Sequence, residues 1–134
     1  MSKKILVADD EETIRKILGT WLVKSGYRVR EAVDGDQAIE ALNSEYFDLL
    51  ILDILMPKKD GWQVLREVKS NPNMKDMAVI VLTACKEDAD ILKGYKLGAS
   101  YFITKPFTRL QLFYGLQMVF TKDSESTHRT SISW

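Results

Sequence analysis

Five residues able to do phosphate or metal chemistry follow four short apolar runs: Ile5 to Ala8 leads into Asp9 and Asp10, Leu49 to Leu52 into Asp53, Val79 to Leu82 into Thr83, and Phe102-Ile103 through Thr104 into Lys105. In a parallel α/β sheet the carboxyl ends of neighbouring strands converge on one crevice. Positions far apart in sequence then form a single site of carboxylates, a hydroxyl and an ammonium. Crowded carboxylates repel one another, and a divalent cation relieves that repulsion. Mg²⁺ suits such a set because it prefers hard oxygen ligands, keeps waters and bridges carboxylate to phosphate. Asp53 is the best candidate to accept a phosphoryl group. It directly follows an apolar strand, no helix begins before Gly61 for it to cap, and a carboxylate held there needs a cation or Lys105 beside it. Glu11 and Glu12 are read instead as helix-capping charge, placed where the helix dipole favours them.

These residues need elements to position them. The apolar runs alternate with stretches of helical period, the pattern of βαβ units with helices on both faces of a parallel sheet, and five such units fit. Ile14, Ile17, Leu18, Trp21 and Leu22 share one face of a first helix that Gly26 ends. Tyr27, Val29 and Glu31 alternate with Arg28 and Arg30, which suits a sheet edge, whereas the first, third and fourth runs read as central strands. Asp34-Gly35 opens a second helix through Ala38, Ile39 and Leu42. Gly61 to Lys69 carries Val64, Leu65 and Val68 on one stripe until Asn71-Pro72 stops it. A fourth helix from Glu87 to Leu97 has Ile91, Leu92 and Tyr95 on one side. A fifth, from about Thr108, carries Leu112, Phe113, Leu116, Val119 and Phe120. Trp21 is expected in the core and Trp62 on the loop side of the third helix.

The chain has 134 residues, enough for one domain with a sizeable core. Residues 1–121 are expected to form it, and the polar, aperiodic stretch 122–134 reads as a flexible tail or the start of a linker. Nineteen basic residues balance nineteen acidic ones, so no whole-molecule field draws the protein to nucleic acid or to an anionic membrane. The opening apolar run is too short for a signal-peptide core or a membrane span, which points to the cytoplasm. A single cysteine, Cys85, excludes an internal disulfide, and a single histidine, His128, leaves no Cys/His zinc cluster.

At these residues the chain resembles the receiver domains of bacterial two-component response regulators, over roughly residues 3 to 121. The likeness rests on Asp9-Asp10, on the run Asp53-Ile54-Leu55-Met56-Pro57-Lys58-Lys59-Asp60-Gly61, on Thr83-Ala84 and on Lys105-Pro106-Phe107, in that order and on the right strand ends. The resemblance implies a flavodoxin-like (βα)5 three-layer sandwich with strand order 2-1-3-4-5. It also implies an aspartate, here Asp53, that accepts phosphate from a sensor histidine kinase or phosphotransfer protein. It further makes Asp10 a direct Mg²⁺ ligand with Asp53, Asp9 a partner more often through water, and the backbone carbonyl of Leu55 the last protein ligand. Lys105, ahead of a cis proline bond, would meet the phosphoryl oxygens, and Thr83 would hydrogen-bond the phosphate once formed. Signalling would follow from Thr83 moving toward the phosphate and Phe102 filling the space it leaves, changing the face of the fourth helix, fifth strand and fifth helix. That face would serve a downstream output protein or domain, or a homodimer. Kinase choice in the family offers Ile14, Arg15, Leu18 and Pro106 to Thr108 as candidates.

Several residues depart from the common pattern. Phe102 stands where the family often has tyrosine, so it lacks the phenol, and its plain-core and switch readings stay level. Leu55 and Cys85 stand where polar side chains often orient a hydrolytic water, which predicts slow self-dephosphorylation. A haloacid-dehalogenase-like phosphatase would need an aspartate at position 55, and a flavodoxin would need a Ser/Thr/Gly phosphate loop where Asp9 to Glu12 stand. Two further alternatives are a receiver-like interaction module that works without phosphorylation, and an amino-terminal piece of a longer regulator with a DNA-binding or enzymatic output.

Overall fold

A computed structural model of the chain describes residues 2–121. Five strands and five helices alternate along it: β1 (Lys4–Ala8), α1 (Glu12–Lys24), β2 (Arg28–Ala32), α2 (Gly35–Ser44), β3 (Leu49–Leu52), α3 (Gly61–Ser70), β4 (Ala78–Thr83), α4 (Asp88–Lys96), β5 (Tyr101–Thr104) and α5 (Arg109–Phe120). The strands form one parallel sheet in the order β2-β1-β3-β4-β5, with β2 and β5 as edges. This is the parallel α/β pattern expected from the short apolar runs, in the flavodoxin-like strand order that the resemblance implied. The expected tail, with His128 and Trp134, lies outside the described residues.

Alternation along each strand divides the core into two layers. Leu6, Ala8, Leu50, Leu52, Val79 and Val81 point toward α2 and α3, where they meet Ala38, Val64, Leu65 and Val68. Ile5, Val7, Leu49, Ile51, Ile80 and Leu82 point the other way, toward Leu18 and Leu22 of α1 and Leu112 and Leu116 of α5. Burying each such Val, Leu or Ile side chain contributes about 1.5–3 kcal/mol. The central strands are therefore apolar on both faces, and polar residues are confined to their ends.

Local chemistry sets where the helices begin. The Asp60 carboxylate accepts from the Gln63 N–H at 3.0 Å and the Gln63 side chain accepts from the Asp60 N–H, a reciprocal cap that starts α3. Thr108 and Gln111 repeat it at α5, and Asp34 accepts from the Gln37 N–H at α2.

Sequence expectations on α4 and α1 are corrected by the packing. On α4 the face read as apolar points outward: Leu92 and Tyr95 are exposed, Ile91 is only half-buried, and Gly94 is the helix's buried residue. This helix leans on the edge strand β5, where the sheet offers only a narrow apolar strip. Trp62 lies in the first turn of α3, at its loop end as expected. It packs against the core layer beneath α4, with Lys93 Nζ 4.5 Å from its ring centroid. On α1, Leu18 and Leu22 are buried as expected, Ile14 and Trp21 are half-buried, and Ile17 is exposed.

Candidate functional site

The loops at the carboxyl ends of β1, β3 and β5 meet over the sheet. Backbone pairing brings them there: the Asp53 N–H donates to the Ala8 carbonyl at 2.9 Å, the Asp9 N–H to the Ala32 carbonyl at 3.1 Å, and the Lys105 N–H to the Thr83 carbonyl at 2.8 Å. Asp53 and Asp9 are almost fully buried, whereas Asp10 is exposed. Gly61 lets the loop after Asp53 fold this tightly, since a Cβ there would fall 2.5 Å from the Asp53 carbonyl oxygen.

Asp9, Asp10 and Asp53 each place one carboxylate oxygen within 4.8 Å of the others. Lys105 Nζ lies 2.8 Å from Asp9 Oδ2, 3.0 Å from Asp53 Oδ2 and 2.9 Å from Glu11 Oε1. The remaining oxygens of the buried pair take backbone donors: Asp9 Oδ1 accepts from the Glu11 N–H at 2.9 Å, and Asp53 Oδ1 from the Leu55 N–H at 3.0 Å. The Lys105–Pro106 peptide is cis.

The charges are unbalanced. Burial raises the Asp9 carboxyl above the ordinary carboxylate value and the Asp53 charge adds to this, against the lowering effects of Lys105 and the Glu11 N–H. Burial alone would lower Lys105, but its contacts with Asp9, Glu11 and Asp53 outweigh that and hold its ammonium above the ordinary lysine value. One cation thus faces Asp9, Asp10, Glu11 and Asp53. A hard divalent cation fits this donor set of close, oxygen-only ligands, and Asp9, Asp10 and Asp53 are the residues that would hold it.

Of the other expected residues, Thr83 is fully buried at the end of β4, and its Oγ1 accepts a 3.4 Å bond from the Cys85 N–H. Cys85 is half-buried. The Leu55 side chain is exposed beside Asp53. Phe102 is half-buried on the α4 side of β5, and Tyr101 faces the α5 side as strand alternation requires.

Three residues behave differently from their sequence reading. Glu11 occupies the N-cap of α1, but its side chain makes no capping bond and turns to Lys105. Arg15, expected to face a partner, is turned inward with an 11% exposed side chain. Its Nη1 donates to the Asp9 carbonyl at 2.8 Å and its Nε to Glu31 Oε1 at 3.0 Å. Leu18, offered for the same surface, is wholly buried. The usable sequence signal for Arg15 was Glu31, an acidic residue on the edge strand that the β1–β2 register puts beside Val7, the strand residue two before Asp9.

Comparison with known proteins shows the family and agrees with the fold. A family model described as the response regulator receiver domain matches residues 5–117. A probable transcriptional regulator, ycf27, of Guillardia theta is 39% identical over 96% of this chain and 51% of its own length. The chain spans about half the length of such curated relatives. The chemotaxis protein CheY4 of Vibrio cholerae superposes with a TM-score of 0.84 at 29% identity, covering 89% of this chain and 99% of that one. The receiver domain of sensor histidine kinase PA1611 from Pseudomonas aeruginosa, solved with a magnesium ion coordinated in its active-site cleft, gives 0.79 at 28% identity, covering 87% of this chain and 96% of that one.

Proposed function

Because the chain belongs to the response regulator receiver domain family, we propose that Asp53 is its phosphoacceptor, with Lys105 and Thr83 as the groups that receive the phosphoryl oxygens. The domain is a two-component signalling domain and not a classical enzyme. One observation carries the assignment: a nearly buried carboxylate, Asp53, stands 3.0 Å from a mostly buried ammonium, Lys105, at a strand end beside two further aspartates.

An Asp53 carboxylate oxygen attacks the phosphorus of a phosphohistidine or small acyl phosphate. The P–O bond to Asp53 forms as the P–N or P–O bond to the donor breaks, and the donor leaves with the electron pair. Lys105 offers charge to the oxygens of the transferring group, and the Leu55 N–H holds Asp53 in line through its other oxygen. Bound Mg²⁺, on Asp10, Asp53, Asp9 and the Leu55 carbonyl, would neutralise charge that Lys105 alone does not. The acid-rich site and the magnesium-bound relative support this reading.

After transfer, Thr83 turns its hydroxyl from Cys85 to the phosphate and Phe102 follows, altering the α4-β5-α5 face. Leu92, Tyr95, Leu110, Tyr114 and Met118 are exposed there, and they suit a homodimer or an output protein or domain. The phosphodonor is a sensor histidine kinase or a phosphotransfer protein. No described helix is long and apolar enough to cross a membrane, and we place the domain's work in the cytoplasm. Intact mass after incubation with acetyl phosphate tests the chemistry. A single Mg²⁺-dependent phosphoryl adduct, absent from Asp53→Ala, is expected; an adduct that survives this substitution would refute Asp53.

A further inference from the structure

We propose that Glu11 is a place-holder for the incoming phosphoryl oxygen, keeping the third N–H of Lys105 aimed into the site until the donor displaces it. The inference rests on Asp53 being the acceptor. A lysine ammonium has three N–H donors and no more. In this structure three carboxylate oxygens already stand within 3.0 Å of Lys105 Nζ, from Asp9, Glu11 and Asp53. A phosphoryl oxygen therefore gains Lys105 only if one of the three gives way.

Burial decides which one. The side chains of Asp9 and Asp53 are 3% and 4% exposed. In the metal-free protein, parting Lys105 from either leaves a carboxylate out of water with only a backbone N–H for company, the costlier loss. Glu11 is 56% exposed, and Lys105 is its carboxylate's sole partner among the described residues. Releasing it returns the carboxylate to solvent, where an exposed pair loses little. The residue after the aspartate pair thus holds the lysine in its working direction at rest, and it is the weakest of the three contacts when phosphate arrives. Glu11 is a positioning residue: it acts through Lys105, and its charge at the mouth also opposes an anionic donor.

The test follows adduct formation by intact mass across a series of acetyl phosphate concentrations with Mg²⁺ present, for the native protein, Glu11→Gln and Glu11→Asp. Loosening the Glu11–Lys105 contact should lower KM by up to about fivefold, the worth of one exposed ammonium–carboxylate contact, with the maximal rate changed less. Glu11→Asp keeps the charge but is one methylene short of Lys105, and it should follow Glu11→Gln. A Glu11→Asp protein that behaves as native would leave donor repulsion as the whole effect and overturn the place-holder. A second readout needs no phosphate. In metal-free protein labelled with ¹⁵N on lysine side chains, the Lys105 ammonium signal, assigned by its loss in Lys105→Arg, should shift in Glu11→Gln. An unshifted signal, or an unchanged KM while Asp53→Ala still abolishes the adduct, overturns the role of Glu11 and leaves Asp53 standing. A native protein that takes no phosphate from any donor, kinase included, overturns both.

Discussion

The ring of Phe102 fills the notch that Gly94 leaves in α4: a Cβ at residue 94 would lie 3.0 Å from Phe102 Cδ2 and 3.1 Å from Cε2. A mid-helix glycine ordinarily weakens a helix by about 1 kcal/mol relative to alanine. Here its bareness admits the ring proposed to move on activation. Gly94→Ala should therefore gain little in the native protein, because the propensity gain is offset by displacing Phe102. In a Phe102→Ala background the same change should stabilise by about 1 kcal/mol. Urea denaturation of the four proteins measures the coupling, and equal effects of Gly94→Ala in both backgrounds would show that ring and helix are independent.

That notch also marks where sequence reading stopped. The strand ends were legible because β1, β3 and β4 are apolar on both faces, so an Asp or Thr that ends such a run can only lie at the sheet's rim. The acidic cluster and Thr83 followed from that, and Lys105 from the short run Phe102-Ile103 ahead of Pro106. The orientation of α4 was not legible, because Leu92 and Tyr95 have the spacing of a buried stripe and only the narrow edge at β5 turns them outward. Glu11 and Arg15 were misread for a related reason. Their positions near a helix start suit capping and surface contact, and their actual partners, Lys105 and the Asp9 carbonyl with Glu31, are brought by the fold and not by local pattern.

Arg15 ties the first loop to the sheet edge. Its guanidinium spans from the Asp9 carbonyl to Glu31 and is mostly buried, so Arg15→Met leaves the carbonyl without its charged donor and Glu31 without its cation. We expect a loss of about 1–3 kcal/mol in stability. We also expect weaker Mg²⁺ binding, since Asp9 and Asp10 hang from the same loop. Calorimetric titration of Mg²⁺ into both proteins checks the second part, and an unchanged affinity would confine Arg15 to a structural role.

Mg²⁺ itself should stabilise the fold. The carboxylates of Asp9, Asp10 and Asp53 are brought within 4.8 Å only in the native state, so a cation bound there favours folding by mass action. At a hundredfold excess over Kd the gain is about 2.7 kcal/mol, visible as a raised Tm that a chelator reverses. Asp10→Asn should abolish the shift. Because it removes one of several mutually repelling charges, it should also raise the Tm of the metal-free protein slightly. A Mg²⁺-dependent Tm shift that persists in Asp10→Asn would place the cation elsewhere.

The lifetime of the phosphorylated state should be set by two side chains that hydrogen-bond weakly or not at all. Leu55 stands exposed beside Asp53 with only its backbone N–H turned to the carboxylate, and Cys85 is half-buried with its N–H on Thr83. A water attacking the phosphoaspartate in line needs an acceptor or donor near the phosphorus to orient it, and neither an isobutyl group nor a thiol supplies a good one. The unassisted reaction then governs decay. Leu55→Asn adds an amide able to position that water and should speed dephosphorylation by roughly tenfold, a small share of what a well-placed acid or base contributes. Because the side chain is exposed, the substitution removes little buried apolar area, and stability should change by less than about 0.5 kcal/mol. Loss of the phosphoryl adduct with time, followed by intact mass after the donor is removed, gives both rates directly. Equal decay in the native protein and Leu55→Asn would mean that water is already oriented by a group other than residue 55.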